Sequence, residues 1–160
     1  MNRNRKVNLF IKTLAEKKVT LALAESITCG LAAHFLSTCK GTSEVFRGSV
    51  VCYHEEVKKK LLKVPAKMIK KYTAESAEVT MELTKGLGRV VEADIHASIT
   101  GLASDGGSET RFKPVGTVFF SILYKGKFHN SRYRFYGTPL RVREKACLHL
   151  YDLISKTVRN

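Results

Sequence analysis

The 160 residues carry 28 Lys and Arg against 14 Asp and Glu, a formal net charge of +14, with 44% hydrophobic and 26% charged residues. This balance fits one globular domain over 1–160 with a sizeable core, and it excludes a disordered chain. No apolar run approaches membrane-spanning length, so no membrane partner is expected.

The positive charge draws anions without naming one. Basic residues are spread from Lys6 to Arg159, and no aromatic-interleaved RNA-binding pattern accompanies them, so nucleic acid is not the expected partner. The apolar segment after Met1–Lys6 is broken by Lys12 and is too short for a signal peptide. Cys29, Cys39, Cys52 and Cys147 include no C-x-x-C pair and read as reduced thiols of a cytoplasmic protein. The histidines show no metal-ligand spacing, so neither a metal nor another cofactor is expected.

In chain order, Val7, Phe10, Ile11 and Leu14 recur at helical spacing and predict a helix over 5–17. The apolar run after Val19 predicts a buried strand that stops at Glu25-Ser26, and a helix is predicted from Ile27 to about Lys40-Gly41. Phe46 to Tyr53 reads as a second strand. Glu55-Glu56 followed by Lys58-Lys59-Lys60 reads as a short helix whose charges suit its dipole. Pro65 opens another helical turn, and Thr73 is the expected N-cap of a helix carrying Ala77, Met81, Leu83 and Leu87. Asp94 to Thr100 predicts a third strand, running into the glycine-rich Gly101–Gly107. Gly116–Tyr124 and Lys127–Tyr136 predict a hairpin turning at Lys125-Gly126, and Thr138-Pro139 opens a last helix. The expected fold is a layered α/β domain, its mixed, mostly parallel sheet ending in an antiparallel hairpin and covered by helices on both faces.

The turn at Ser26 admits two readings. Ser26 and Thr28 either cap a helix, or the strand-to-helix turn presents a nucleophile beside unpaired N–H groups. A serine nucleophile needs a base, and no Asp-His or Cys-His pair stands out. Tyr53 and Lys58 follow the next strand, and neighbouring strands of an α/β sheet deliver their carboxyl ends to one rim. A desolvated lysine beside Ser26 can act as base, with the tyrosine hydroxyl as relay; alternatively Lys58 is one of three exposed lysines. Ser37-Thr38-Cys39-Lys40 fits the S-x-x-K of β-lactamases, but it falls at a helix end without partner motifs.

Four stretches in order, Ala24-Glu25-Ser26-x-Thr28-x-Gly30, Phe46-x-Gly48-x-Val50-x-x-Tyr53 with Lys58, Thr100-Gly101-x-Ala103-x-x-Gly106-Gly107, and Lys113-Pro114-Val115-Gly116-Thr117-Val118, resemble the CinA C-terminal domain family over roughly Val7 to Leu153. The resemblance implies hydrolysis of the carboxamide of nicotinamide mononucleotide to nicotinic acid mononucleotide and ammonia. It implies Ser26 as nucleophile supported by Tyr53 and Lys58, oxyanion donors around Thr28, Cys29 and Gly30, and self-association. Glu25, Thr100, Gly101, Gly106, Gly107 and Arg143 are the candidates for holding the nucleotide. Cys29, His54, Asp105 and Pro139 depart from the family pattern, which leaves a diverged binding module of the same fold as the alternative.

Overall fold

The computed structural model describes residues 2–159. It contains α1 (Arg3–Lys17), β1 (Leu21–Glu25), α2 (Leu31–Ser37), α3 (Thr42–Val45), β2 (Phe46–Val51), α4 (Glu55–Lys60), α5 (Ala66–Tyr72), α6 (Ala77–Gly88), β3 (Ile95–Gly101), β4 (Thr117–Tyr124), β5 (Lys127–Arg134) and α7 (Pro139–Arg159). The five strands form one sheet in the order β2-β1-β3-β4-β5. β1 runs parallel to both β2 and β3, and the β3–β4 and β4–β5 pairs are antiparallel. No helix among the described residues is long and apolar enough to cross a membrane.

Alternation along the central strand divides the core. Leu21 and Leu23 face the layer of α1, α2 and α7, packing with Phe10, Leu14, Phe35, Leu150 and Ile154. Ala22 and Ala24 face α5 and α6, with Ile69, Val79, Leu83 and Leu87. Both faces of β1 are therefore covered, which explains its uninterrupted burial. β5 lies at the sheet edge and is exposed along nearly its whole length. The Lys125-Gly126 turn has φ values of 48° and 72°, the left-handed pair that a two-residue hairpin requires.

The helix expected to reach Lys40-Gly41 ends at Ser37, and the strands expected to reach Tyr53 and Tyr136 end at Val51 and Arg134. Two predicted helix starts move by three residues or more. The helix expected from Ile27 begins only at Leu31, because Cys29 (φ 49°) and Gly30 (φ 91°) are left-handed and keep the turn open. Thr73 does not cap α6: at φ 70° it closes α5, and Ser76 caps instead, accepting from Val79 N–H at 3.2 Å.

Asp94 ties the starts of β1 and β3 by accepting from Thr20 N–H (2.8 Å) and Thr20 Oγ (2.7 Å). These bonds hold its carboxyl below the ordinary aspartate value. A lowered native pKa means stability present above the unfolded value and lost as pH falls through the native one. Asp94→Asn is expected to cost about 1 kcal/mol at neutral pH. Urea melts at about pH 7 and about pH 3 should show the difference shrinking in acid.

Candidate active site

The parallel strands bring the site together. Glu25 at the end of β1 is in register with Val51 of β2 and Ile99 of β3. The next residues continue the pairing: Ser26 N–H donates to Ile99 O (3.0 Å), and Cys52 N–H donates to Glu25 O (2.8 Å). Ser26, only 5% exposed, is thereby clamped at the carboxyl-end rim between the two neighbouring strand ends.

α4 delivers the base. His54 caps it, its Nδ1 accepting from Glu56 N–H at 3.2 Å, and one turn later Lys58 points inward, 1% exposed. Its Nζ donates to Ser26 Oγ (3.0 Å), Cys52 O (2.7 Å) and Tyr53 O (3.1 Å). All three partners are neutral oxygens. Burial drives the Lys58 pKa below the ordinary lysine value, with the charges around it, Glu75 and Glu55 included, pulling the other way. As an ammonium, Lys58 spends all three N–H groups on these oxygens. As a neutral amine it keeps two for the carbonyls and turns its lone pair toward the Ser26 hydroxyl. The backbone carbonyls thus orient the amine for proton abstraction.

The other expected site residues divide. Glu25 is fully buried and does not line the cleft over Ser26. Its Oε2 accepts from Thr28 Oγ (2.7 Å), Gly30 N–H (3.0 Å) and Ala32 N–H (3.0 Å), and its Oε1 from Ala33 N–H (2.9 Å) and Ser49 Oγ (2.8 Å). The anion that the start of α2 attracts is thus the chain's own carboxylate. This corrects the nucleotide-contact role expected for Glu25. It also corrects the oxyanion donors, because Gly30 N–H is engaged by Glu25 and Cys29 N–H by Ser26 O. Ile27 and Thr28 N–H, with no acceptor among the described residues, remain as the turn's donors. Thr100 is likewise buried, its hydroxyl 2.8 Å from that of Thr80, and does not line the cleft.

The cleft over Ser26 encloses about 190 Å³ and is walled by Ile27, Tyr53, Glu75, the Gly101–Gly107 loop and Arg143. Gly101 must be glycine, since a Cβ there would lie 2.5 Å from Thr117 O. Gly106 and Gly107 give their N–H groups to Glu109 at 2.9 Å each, so the loop offers walls rather than these two donors. Arg143, on the second turn of α7, donates from Nε to Ile27 O (2.9 Å) and leaves the rest of its guanidinium at the rim. Cys29 and Gly30 line a neighbouring hollow with His34 and Leu140, separated from the Ser26 cleft by Tyr53 and Arg143, which border both. Cys29 is therefore not part of the wall of the Ser26 cleft.

Tyr53 is 60% exposed and its hydroxyl has no partner among the described residues. Its main-chain carbonyl, not its phenol, contacts Lys58. Tyr53→Phe is accordingly expected to keep kcat within about threefold, whereas Tyr53→Ala should raise KM by removing the wall both hollows share. Steady-state kinetics on the two variants separates a relay from a wall.

Sequence reading missed Glu75 and Ser108 as site residues. Lys113 Nζ donates to Thr73 Oγ (2.6 Å), Glu75 O (2.9 Å) and Ser108 Oγ (2.7 Å), and Ser108 Oγ donates to a Glu75 carboxylate oxygen at 2.5 Å. Lys113 opens one of the stretches singled out above; Glu75 carries no local signal.

Sheet order, serine turn and buried amine together define an α/β domain bearing a serine–lysine pair on the carboxyl-end rim of its parallel strands. The chain belongs to the CinA C-terminal domain family, whose profile matches residues 4–158. It is 36% identical over 159 residues to a CinA-like protein of Thermotoga neapolitana, covering 99% of this chain and 38% of that one. A CinA-like protein of Citrifermentans bemidjiense is 38% identical over 144 residues, 89% of this chain and 34% of that protein. The chain thus spans well under half the length of these relatives. Among solved structures, a competence-damaged protein (CinA) superfamily protein from Klebsiella pneumoniae superposes with a TM-score of 0.94 at 26% identity, over 99% of both chains.

Proposed function

We propose that the protein is a serine amidohydrolase that converts the carboxamide of nicotinamide mononucleotide to the carboxylate, releasing ammonia. The observation that carries this reading is the buried Lys58 amine 3.0 Å from Ser26 Oγ, held by two backbone carbonyls with no carboxylate among its hydrogen-bond partners in the described residues. Family membership supports it.

In the proposed cycle, neutral Lys58 takes the Ser26 proton as Oγ attacks the amide carbon. Ile27 N–H, in the wall of the Ser26 cleft, is the backbone donor assigned to the resulting oxyanion, a type of donor that contributes about 3–4 kcal/mol in other hydrolases. Lys58 returns the proton to the amide nitrogen, the C–N bond breaks and ammonia leaves. Water then attacks the acyl-serine, giving its proton to Lys58, and the acid departs as Ser26 is reprotonated. Arg143 meets the phosphate, the glycine N–H groups of the loop and of α2 being committed to Glu109 and Glu25.

The test incubates the protein and Ser26→Ala with nicotinamide mononucleotide and follows ammonia and nicotinic acid mononucleotide. Turnover that disappears in Ser26→Ala is the expected result. Turnover that persists in the variant overturns the nucleophile, and a folded protein with no turnover favours the binding-module reading.

A further inference from the structure

The cleft holds a fixed carboxylate that the proposed cycle does not use. Glu75 sits in the short connection between α5 and α6 and lines the cleft together with Ser26. One carboxylate oxygen is anchored by Ser108 Oγ at 2.5 Å. The Glu75 carbonyl is anchored by Lys113 Nζ at 2.9 Å, and that amine also holds Ser108 at 2.7 Å. Lys113 spends its three N–H groups on Thr73, Glu75 and Ser108, so it fixes the carboxylate through the serine without offering a donor to a ligand. No Lys or Arg among the described residues forms a salt bridge with Glu75, and its second oxygen has no partner among them. The carboxylate is therefore held in place beside the cleft that Glu75 lines, with one oxygen uncommitted among the described residues.

The charged side chains lining this cleft are Glu75, Asp105 on the exposed loop and Arg143, with Lys58 behind Ser26. A narrow cleft with a fixed anion and a fixed cation suits a ligand that carries both signs. We propose that Glu75 is a specificity-determining residue that selects a positively charged ring, so that the site takes N-substituted pyridinium carboxamides in preference to uncharged ring amides. This rests on the amidohydrolase reading above. Arg143 would meet the anionic phosphate and Glu75 the cationic ring, aligning the carboxamide along the cleft toward Ser26. An opposite charge a few ångströms away shifts an equilibrium by tenfold or more. A carboxylate already held in place loses little freedom in giving that effect.

The test uses two ligands of nearly the same shape, nicotinamide mononucleotide and its reduced dihydropyridine form, which has the same phosphate and an uncharged ring. Calorimetric titration of the full chain carrying S26A removes chemistry from the comparison. S26A is expected to favour the pyridinium form, S26A/E75Q to lose about tenfold of that preference, and S26A/D105N to keep it. The amide introduced by E75Q retains an acceptor for Ser108, and a melting curve for each variant confirms folding. Ser108→Ala serves as a second probe that keeps the charge while releasing its anchor, and it is expected to shrink the preference without reversing it. A preference unchanged in E75Q, or abolished by D105N alone, overturns the role of Glu75 while leaving the nucleotide reading standing. Binding of neither form by folded S26A overturns the nucleotide reading itself.

Discussion

Lys58→Met is expected to lower turnover on nicotinamide mononucleotide by about 10³-fold, and Ser26→Ala to lower it to background. The double variant should be no worse than Ser26→Ala, because residues acting as one unit give non-additive losses. A positioned base contributes about 10² to 10⁴ in rate, and among the described residues no second basic side chain contacts Ser26 Oγ. Met fills the space of the lysine stem but cannot donate to the Cys52 and Tyr53 carbonyls, a loss of about 1–3 kcal/mol. Removing a buried amine offsets part of it, so a normal melting curve with abolished turnover is the expected pair of results.

The pH dependence follows from the same group. The amine must be neutral to accept the serine proton, so acylation should accelerate as pH rises through a Lys58 value depressed below the ordinary lysine range. Stability carries the same signature: between the native and unfolded pKa values the unfolded chain binds the extra proton, so stability rises with pH across that window. Lys58→Met should remove that slope. A pH–rate profile and urea melts at several pH values above neutrality check both.

Glu25→Ala is expected to be the most destabilising single substitution at the site, costing about 3–5 kcal/mol. Five donors converge on this fully buried carboxylate, and its removal strands three N–H groups at the start of α2 and two hydroxyls. For a chain of this length the melting temperature should fall by about 10 °C. The Ser26 turn should lose its shape as well, so turnover is expected to fall in the population that remains folded. A residue that merely touched substrate would raise KM and leave the melting curve alone. Differential scanning calorimetry beside steady-state kinetics separates the two.

The elements were legible because the sequence patterns that specify them are local. Apolar spacing marked α1 and α7, the run through Leu21–Ala24 marked the central strand, and Lys125-Gly126 marked the hairpin. That Ser26 and Lys58 could meet was also legible, since adjacent parallel strands end on one rim, but the sequence left Lys58 equally readable as one of three exposed lysines, 32 positions from Ser26. Directions of side chains were not. Nothing local says that the Glu25 carboxylate folds back onto α2 while its neighbour Ser26 faces the cleft. Likewise Tyr53 and Lys58 both follow β2, but only the backbone path after Val51 decides that the phenol turns outward and the amine inward. Thr73 and Ser76 are equivalent N-caps by residue type, and a left-handed backbone at Thr73 settles the choice. The Glu75–Ser108–Lys113 knot joins positions 33 and 38 apart, beyond the reach of any spacing rule.

The exposed outer strand has a consequence for the protein in solution. The free edge of β5 presents unpaired backbone N–H and C=O groups that a second copy could meet strand to strand, the usual route by which sheets grow into aggregates. Lys127, Arg132 and Arg134 stand along that edge, and no acid occurs anywhere from Thr110 to Arg143. Two such edges approaching each other bring like charges together, and the repulsion reaches about 8 Å at physiological ionic strength and about 3 Å at 1 M salt. The edge is thereby guarded by charge rather than by a covering element. Concentrated salt, which helps many basic proteins stay dispersed, would here lower the guard.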